Sequence, residues 1–184
     1  MCPHCGFELA HADRAFGAVP PLQPDITDLA GVLKERELKE LRTAIHKAQH
    51  PFPQLKLSAV VVRLPENLPL RAITFWLFNR GQISTPMESG AACRLVLFVI
   101  DVHAGRATCM VGYGLEPFLP EATLTRIVQA AQSPLLGKNY AGAFKAMLAK
   151  SVTELEAVGM TLPQKGVMPA RPANEAADAD AFVY

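Results

Sequence analysis

The sequence is poor in cysteine, has no long apolar run and carries no excess of either charge. Four cysteines among 184 residues fall as one close pair, Cys2 and Cys5, and two singles, Cys93 and Cys109. That is too few for a disulfide scaffold and points to a reducing setting. Cys93 and Cys109 stand in apolar strand contexts and read as small buried hydrophobes. The longest strongly apolar run, residues 95–100, is the size of a strand. It falls far short of the roughly 20 residues that a membrane-spanning helix needs. The 18 Lys and Arg nearly balance the 17 Asp and Glu, and no basic patch gathers anywhere. A nucleic-acid partner is therefore not expected. The first residues, Met1 to Gly6, lack a charged segment followed by an apolar one and do not read as a secretory signal. The expected setting is the cytoplasm, with no membrane span.

Half of the residues are hydrophobic, enough for one compact domain with peripheral segments. The chain centres on Cys93 to Asp101, which reads as a buried strand. A short turn, Val102 to Gly105, suits a hairpin, and a second strand opens at Arg106. It leaves through Gly112-Tyr113-Gly114-Leu115-Glu116, whose glycines suit a tight turn at a sheet end. Upstream, the Val-rich stretch 54–63 predicts another strand, buried on both faces at its far end. Leu38, Leu41, Ile45 and Ala48 share one face of a predicted helix over 34–49. A second helix, 68–80, is apolar nearly all round, which fits a buried element or a contact surface. Helices are also predicted over 120–132 and 139–158, each with a core stripe.

These elements divide the chain into an N-terminal arm, 1–24, a domain, 25–159, and a tail, 160–184. Three prolines at 20, 21 and 24 give the end of the arm an extended, linker-like character. The tail is rich in Ala and Pro without a period and is expected to be disordered. Its last residues, Phe182-Val183-Tyr184, have the character of a docking peptide or of a solvated end. The order of elements predicts an α/β fold, with helices layered on a small mixed sheet.

Several segments together resemble one family. They are Asp28-Leu29-Ala30-Gly31-Val32-Leu33 before an amphipathic helix, the apolar strand ending in Asp101, and Arg106 opening the next strand. Gly112-Tyr113-Gly114-Leu115-Glu116-Pro117 and Asn139-Tyr140-Ala141-Gly142 complete the pattern. Over about residues 25–159 the chain resembles the TPM domain family, which includes thylakoid-lumen proteins of photosystem II repair and bacterial relatives. The resemblance implies a three-layer α/β/α sandwich around a small mixed β-sheet. It implies no single activity: acid-phosphatase activity and calcium binding are attributed to some members, and assembly roles to others. The chain departs from the family in lacking a signal and anchor. It has Met87-Glu88-Ser89-Gly90 before the first central strand, and it adds the cysteine pair.

Two chemistries can be read from the residues. Cys2-x-x-Cys5-Gly6 has the shape of a zinc knuckle, two thiolates gripping one side of a tetrahedral ion. His4 and His11 would complete a local site, or two chains would share one zinc and form a homodimer. The alternatives are a metal-free remnant or a redox pair. The carboxylates Asp28, Glu88, Asp101 and Glu116 stand near expected strand ends. Converging, they would suit calcium, or position water for phosphoester hydrolysis with Arg106 or Arg94 against the phosphate. The alternative is that they serve as caps, turn-formers and surface ion pairs. The first expectation is a non-catalytic interaction or assembly module with a metal-binding arm and a protein partner. That partner would meet the loop 112–119 and the aromatic helix. The rival is a metal-dependent phosphatase acting on phosphate monoesters through Asp101, Glu116 and Arg106.

Overall fold

The computed structural model describes residues 8–66, 68–83 and 91–159. Four strands form one sheet in the spatial order β1 (Ile26–Asp28), β2 (Lys56–Val62), β3 (Leu95–Asp101) and β4 (Arg106–Val111). The first three run parallel, and β4 returns antiparallel to β3. Among the described residues six α-helices complete the fold: α1 (Leu9–Phe16), α2 (Glu35–Gln49), α3 (Leu70–Arg80), α4 (Glu121–Gln129), α5 (Gln132–Leu136) and α6 (Tyr140–Ala157).

A parallel strand covered on both faces needs an unbroken apolar run, and every residue of β3 is buried. The two-residue alternation of a strand then divides the core. Val96, Phe98 and Ile100 join Leu57, Ala59 and Val61 on one face. There they pack against Leu41 and Ile45 of α2, Ile127 of α4, and Phe144 and Met147 of α6. Leu95, Leu97 and Val99 join Val60 and Val62 on the other face, under Leu70, Ile73, Trp76 and Leu77 of α3. The result is the expected three-layer α/β/α sandwich.

The connections carry one irregularity. From β1 to β2 and from β2 to β3 the chain steps the same way across the sheet. The connecting helices α2 and α3 nevertheless lie on opposite faces. Two parallel crossovers of that kind must have opposite hands, so one departs from the right-handed rule.

Three elements differ from the sequence reading. The arm holds a helix: α1 lies against α3, with Ala12 fully buried. Phe16 meets Trp76 edge to face at 5.5 Å between ring centres. Trp76 Nε1 donates to Asp13 Oδ1 at 3.0 Å, and Arg80 Nε donates to the same oxygen. The stretch before α2 holds a strand, the three residues of β1, too short to show a period. The helix predicted over 120–132 ends at Gln129 as α4, and a separate α5 follows, with Pro134 in its first turn, where a missing N–H costs nothing. Among the described residues no helix is long and apolar enough to cross a membrane.

Candidate functional site

The carboxyl ends of the parallel strands are where ligands usually sit in such sheets. Asp28 ends β1 and Asp101 ends β3, so both lie on this rim. Each is occupied by its own backbone. Asp28 Oδ1 accepts from the N–H of Ala30 at 3.1 Å and of Gly31 at 2.8 Å, and Oδ2 accepts from Leu33 N–H at 2.7 Å. The carboxylate thereby shapes the loop into α2, where Gly31 takes a φ of +65°. Asp101 is fully buried. Its Oδ1 accepts from Leu64 N–H at 3.2 Å and His103 N–H at 3.0 Å, and Arg106 Nη2 donates to its Oδ2 at 3.2 Å. With β2 between their strands, Asp28 and Asp101 stand roughly 10 Å apart across the sheet.

Asp101, Arg106 and Glu116 do not form one site. Asp101 pairs with Arg106 at one end of the β3–β4 ladder. Gly112 N–H bonds Leu95 O at the other end, and Glu116 follows it, exposed. Seven residues of strand separate the ends by roughly 20 Å. Among the described residues no group of three or more His, Cys, Asp or Glu side chains is gathered around one point. Cys2, Cys5 and Glu88 lie outside those residues. His11 lies within them and serves α1, its Nδ1 accepting from Glu8 N–H at 3.1 Å.

Other residues also found different roles. Cys93 is exposed, on a turn of 3-10 helix over Ala91–Arg94, and so is no core residue. Cys109 is half-buried, and burial pushes its thiol up to about 12. It is a neutral packing group rather than a nucleophile. The aromatic helix α3 lies between the sheet and α1, so Trp76 is not available to a partner. The loop after β4 does present Tyr113, which is 82% exposed. Gly114 is required there, because a Cβ would stand 2.9 Å from the carbonyl oxygen of Cys93.

A concave feature follows the open side of β4. A groove of about 1230 Å³ runs along the strand, walled by α4 and α5 on one side and by the start of α3 on the other. Leu124, Val128 and Leu135 give the wall its apolar part, and Arg71, Arg106, Lys138 and Glu121 supply its fixed charges. The parity of the ladder fixes what β4 presents. Gly112 bonds Leu95, so Met110, Thr108 and Arg106 also turn their backbone groups toward β3. Ala107, Cys109 and Val111 direct N–H and C=O outward, and of these Ala107 and Cys109 line the groove. Among the described residues no strand follows β4, and the groove depends on where α4 and α5 land.

A model of the TPM domain matches residues 26–154, well over half of the chain. The chain belongs to the TPM domain family. Solved structures share the fold of this TPM domain. The N-terminal domain of a protein from P.gingivalis is 21% identical, covers 72% of this chain and 82% of its own, and superposes with a TM-score of 0.59. The BA42 protein of the psychrophilic bacterium Bizionia argentinensis is 14% identical over 71% of this chain and 86% of its own, at 0.60. An N-terminal domain from Corynebacterium glutamicum is 12% identical over 80% and 88%, at 0.56. No curated protein matches. The TPM match begins at the first residue of β1, so α1, seated over Trp76, lies outside the matched residues.

Proposed function

We propose that this TPM domain is a non-catalytic interaction module that binds an extended polypeptide along the edge of β4. The observation that carries the reading is the outward row of N–H and C=O groups on Ala107, Cys109 and Val111, of which Ala107 and Cys109 line a groove with an apolar wall. An unprotected edge is a template for another strand, and proteins usually blunt it with short strands, proline, charge or a bulge. The opposite edge is blunted, since β1 has only three residues. β4 has six residues and no proline, and its one charge, Arg106, is drawn back to Asp101. Addition of a peptide strand gives affinity through the backbone and selectivity through pockets for alternate side chains. The exposed Tyr113 offers a second contact at the far end of the strand.

The test exploits the same parity. Ala107→Pro removes an outward donor without touching the bonds to β3, a position where an edge strand tolerates proline. Extended apolar peptides titrated into the labelled protein are expected to shift the β4 and α4 amides, and Ala107→Pro is expected to abolish binding. Peptides that shift neither set, or that bind the variant equally, would refute the module. The Cys2–Cys5 pair is proposed as a zinc-holding addition to this module on the strength of its spacing.

A further inference from the structure

The tail of the chain has the composition that the groove calls for. Residues 173–184 carry three carboxylates, Glu175, Asp178 and Asp180, and no Lys or Arg. The fixed charges of the groove lining are three cations, Arg71, Arg106 and Lys138, against the single carboxylate Glu121. Arg71 and Glu121 pair at 3.6 Å, and Arg106 pairs with Asp101. Lys138 has no ion-pair partner among the described residues.

In extended form Ala177, Ala179, Ala181 and Val183 turn to one face, while Asp178, Asp180, Phe182 and Tyr184 turn to the other. Small side chains suit close packing under α4, and acids followed by aromatics suit a groove whose lining mixes cations with apolar surface. Phe182, Val183 and Tyr184 are of the kinds that strands favour, whereas the Ala, Asn, Asp and Glu of 173–181 are not.

Reach is sufficient. Tyr140, which opens α6, lies in the groove lining. The helix carries the chain away over 18 residues, roughly 27 Å. The 13 residues from 160 to 172 can span roughly 43 Å when extended. A tethered segment of this kind acts at an effective concentration of about millimolar, so even a weak strand contact would hold it in place.

We infer that residues 173–184 dock as an added strand on β4 and occupy the groove until a partner peptide of similar pattern, acidic and then apolar, displaces them. The inference rests on the groove being a peptide site, as argued above. It makes that site self-occupied, and it assigns the site a preference for acidic-apolar sequences.

Amide hydrogen exchange on the full chain tests it. The reporters are the outward N–H groups of Ala107, Cys109 and Val111. In the native chain they are expected to exchange at least tenfold more slowly than in a chain carrying Ala181→Pro and Val183→Pro. A synthetic peptide of residues 173–184, added to that variant, is expected to restore the protection. Asp178→Lys with Asp180→Lys is expected to weaken protection in a salt-dependent way. Equal exchange in the native chain and the proline variant overturns the inference. So does protection that rises with protein concentration, which would put a second copy on the edge. If an unrelated extended apolar peptide still slows the reporters, the groove reading stands without the tail; if no peptide does, both fall.

Discussion

Arg106 Nη2 donates to Asp101 Oδ2 at 3.2 Å across the β3–β4 turn, and this pair fixes where the open edge begins. Asp101 is fully buried, whereas the Arg106 side chain is 47% exposed. The acid therefore anchors and the base adapts. Asp101 also takes the N–H groups of Leu64 and His103, so one carboxylate joins the loop after β2 to the turn after β3. Asp101, which the sequence offers either to a metal-assisted site or as a turn-former, brackets the turn here.

Asp101→Ala would leave the buried N–H of Leu64 and the part-buried N–H of His103 without their acceptor. Each such loss costs about 1–3 kcal/mol, so we expect a fall of about 2–4 kcal/mol in unfolding free energy by denaturant titration. Glu116→Ala removes an exposed carboxylate and is expected to stay within about 0.5 kcal/mol of the native chain. Equal effects of the two substitutions would contradict the separate placement of these residues.

Asp13→Ala is expected to loosen α1. Asp13 receives Trp76 Nε1 and both Arg80 contacts, and the Arg80 hydrogen bond holds its carboxyl below the usual range. Trp76 is the chain's only tryptophan and is 4% exposed. Its fluorescence emission should shift to longer wavelength in the variant, with faster amide exchange in α1 and unchanged exchange in β3. An unshifted spectrum would mean that packing of Phe16 and Ala12 alone keeps the helix in place.

Much of the fold is visible in residue patterns, because strands buried on both faces need runs such as residues 95–100 and helices need stripes such as Leu38, Leu41 and Ile45. What escapes is set by long-range packing. β1 is three residues whose strand character exists only through Ile26 and Thr27 pairing with Ala59 and Val60. α1 does carry a stripe, Leu9, Ala12 and Phe16, but the prolines beside it give the arm the look of a linker. Cys93 sits in an apolar context and yet is exposed, because the chain turns just before β3. The carboxylates are legible as residues but not in their use, since Asp28 and Asp101 are claimed by backbone N–H groups that no spacing rule reveals. The groove is least legible, being the space left where α4 and α5 pass beside an edge.

Metal analysis tests the arm. If Cys2 and Cys5 hold zinc, the purified full chain should contain it at one ion per chain, or at one per two chains where the site is shared. Cys2→Ser should remove it, and in the shared case should also abolish a zinc-dependent dimer seen by sedimentation. Metal content unaltered by the substitution would show that the pair does not bind it.

Acid stability should depend on Glu154. Its carboxyl is held down to about 2, first by the hydrogen bond from Arg126 and then by that from Lys150. Arg126 Nη2 stands 2.8 Å and Lys150 Nζ 2.9 Å from its oxygens, and the contact ties α4 to α6. A carboxyl whose value is lower when folded binds protons more readily in the unfolded chain. Its contribution is therefore complete above the ordinary value of 4.5 and is lost as pH falls toward about 2. Unfolding midpoints of the native chain should decline over that window, and Glu154→Gln should flatten the decline. The variant should also separate α4 from α6 first, seen as faster amide exchange at Ile127 and Val128. An identical acid profile in native and Glu154→Gln chains would show that the stability lost between those values belongs to other carboxylates, Glu40 with Lys145 being the next such pair.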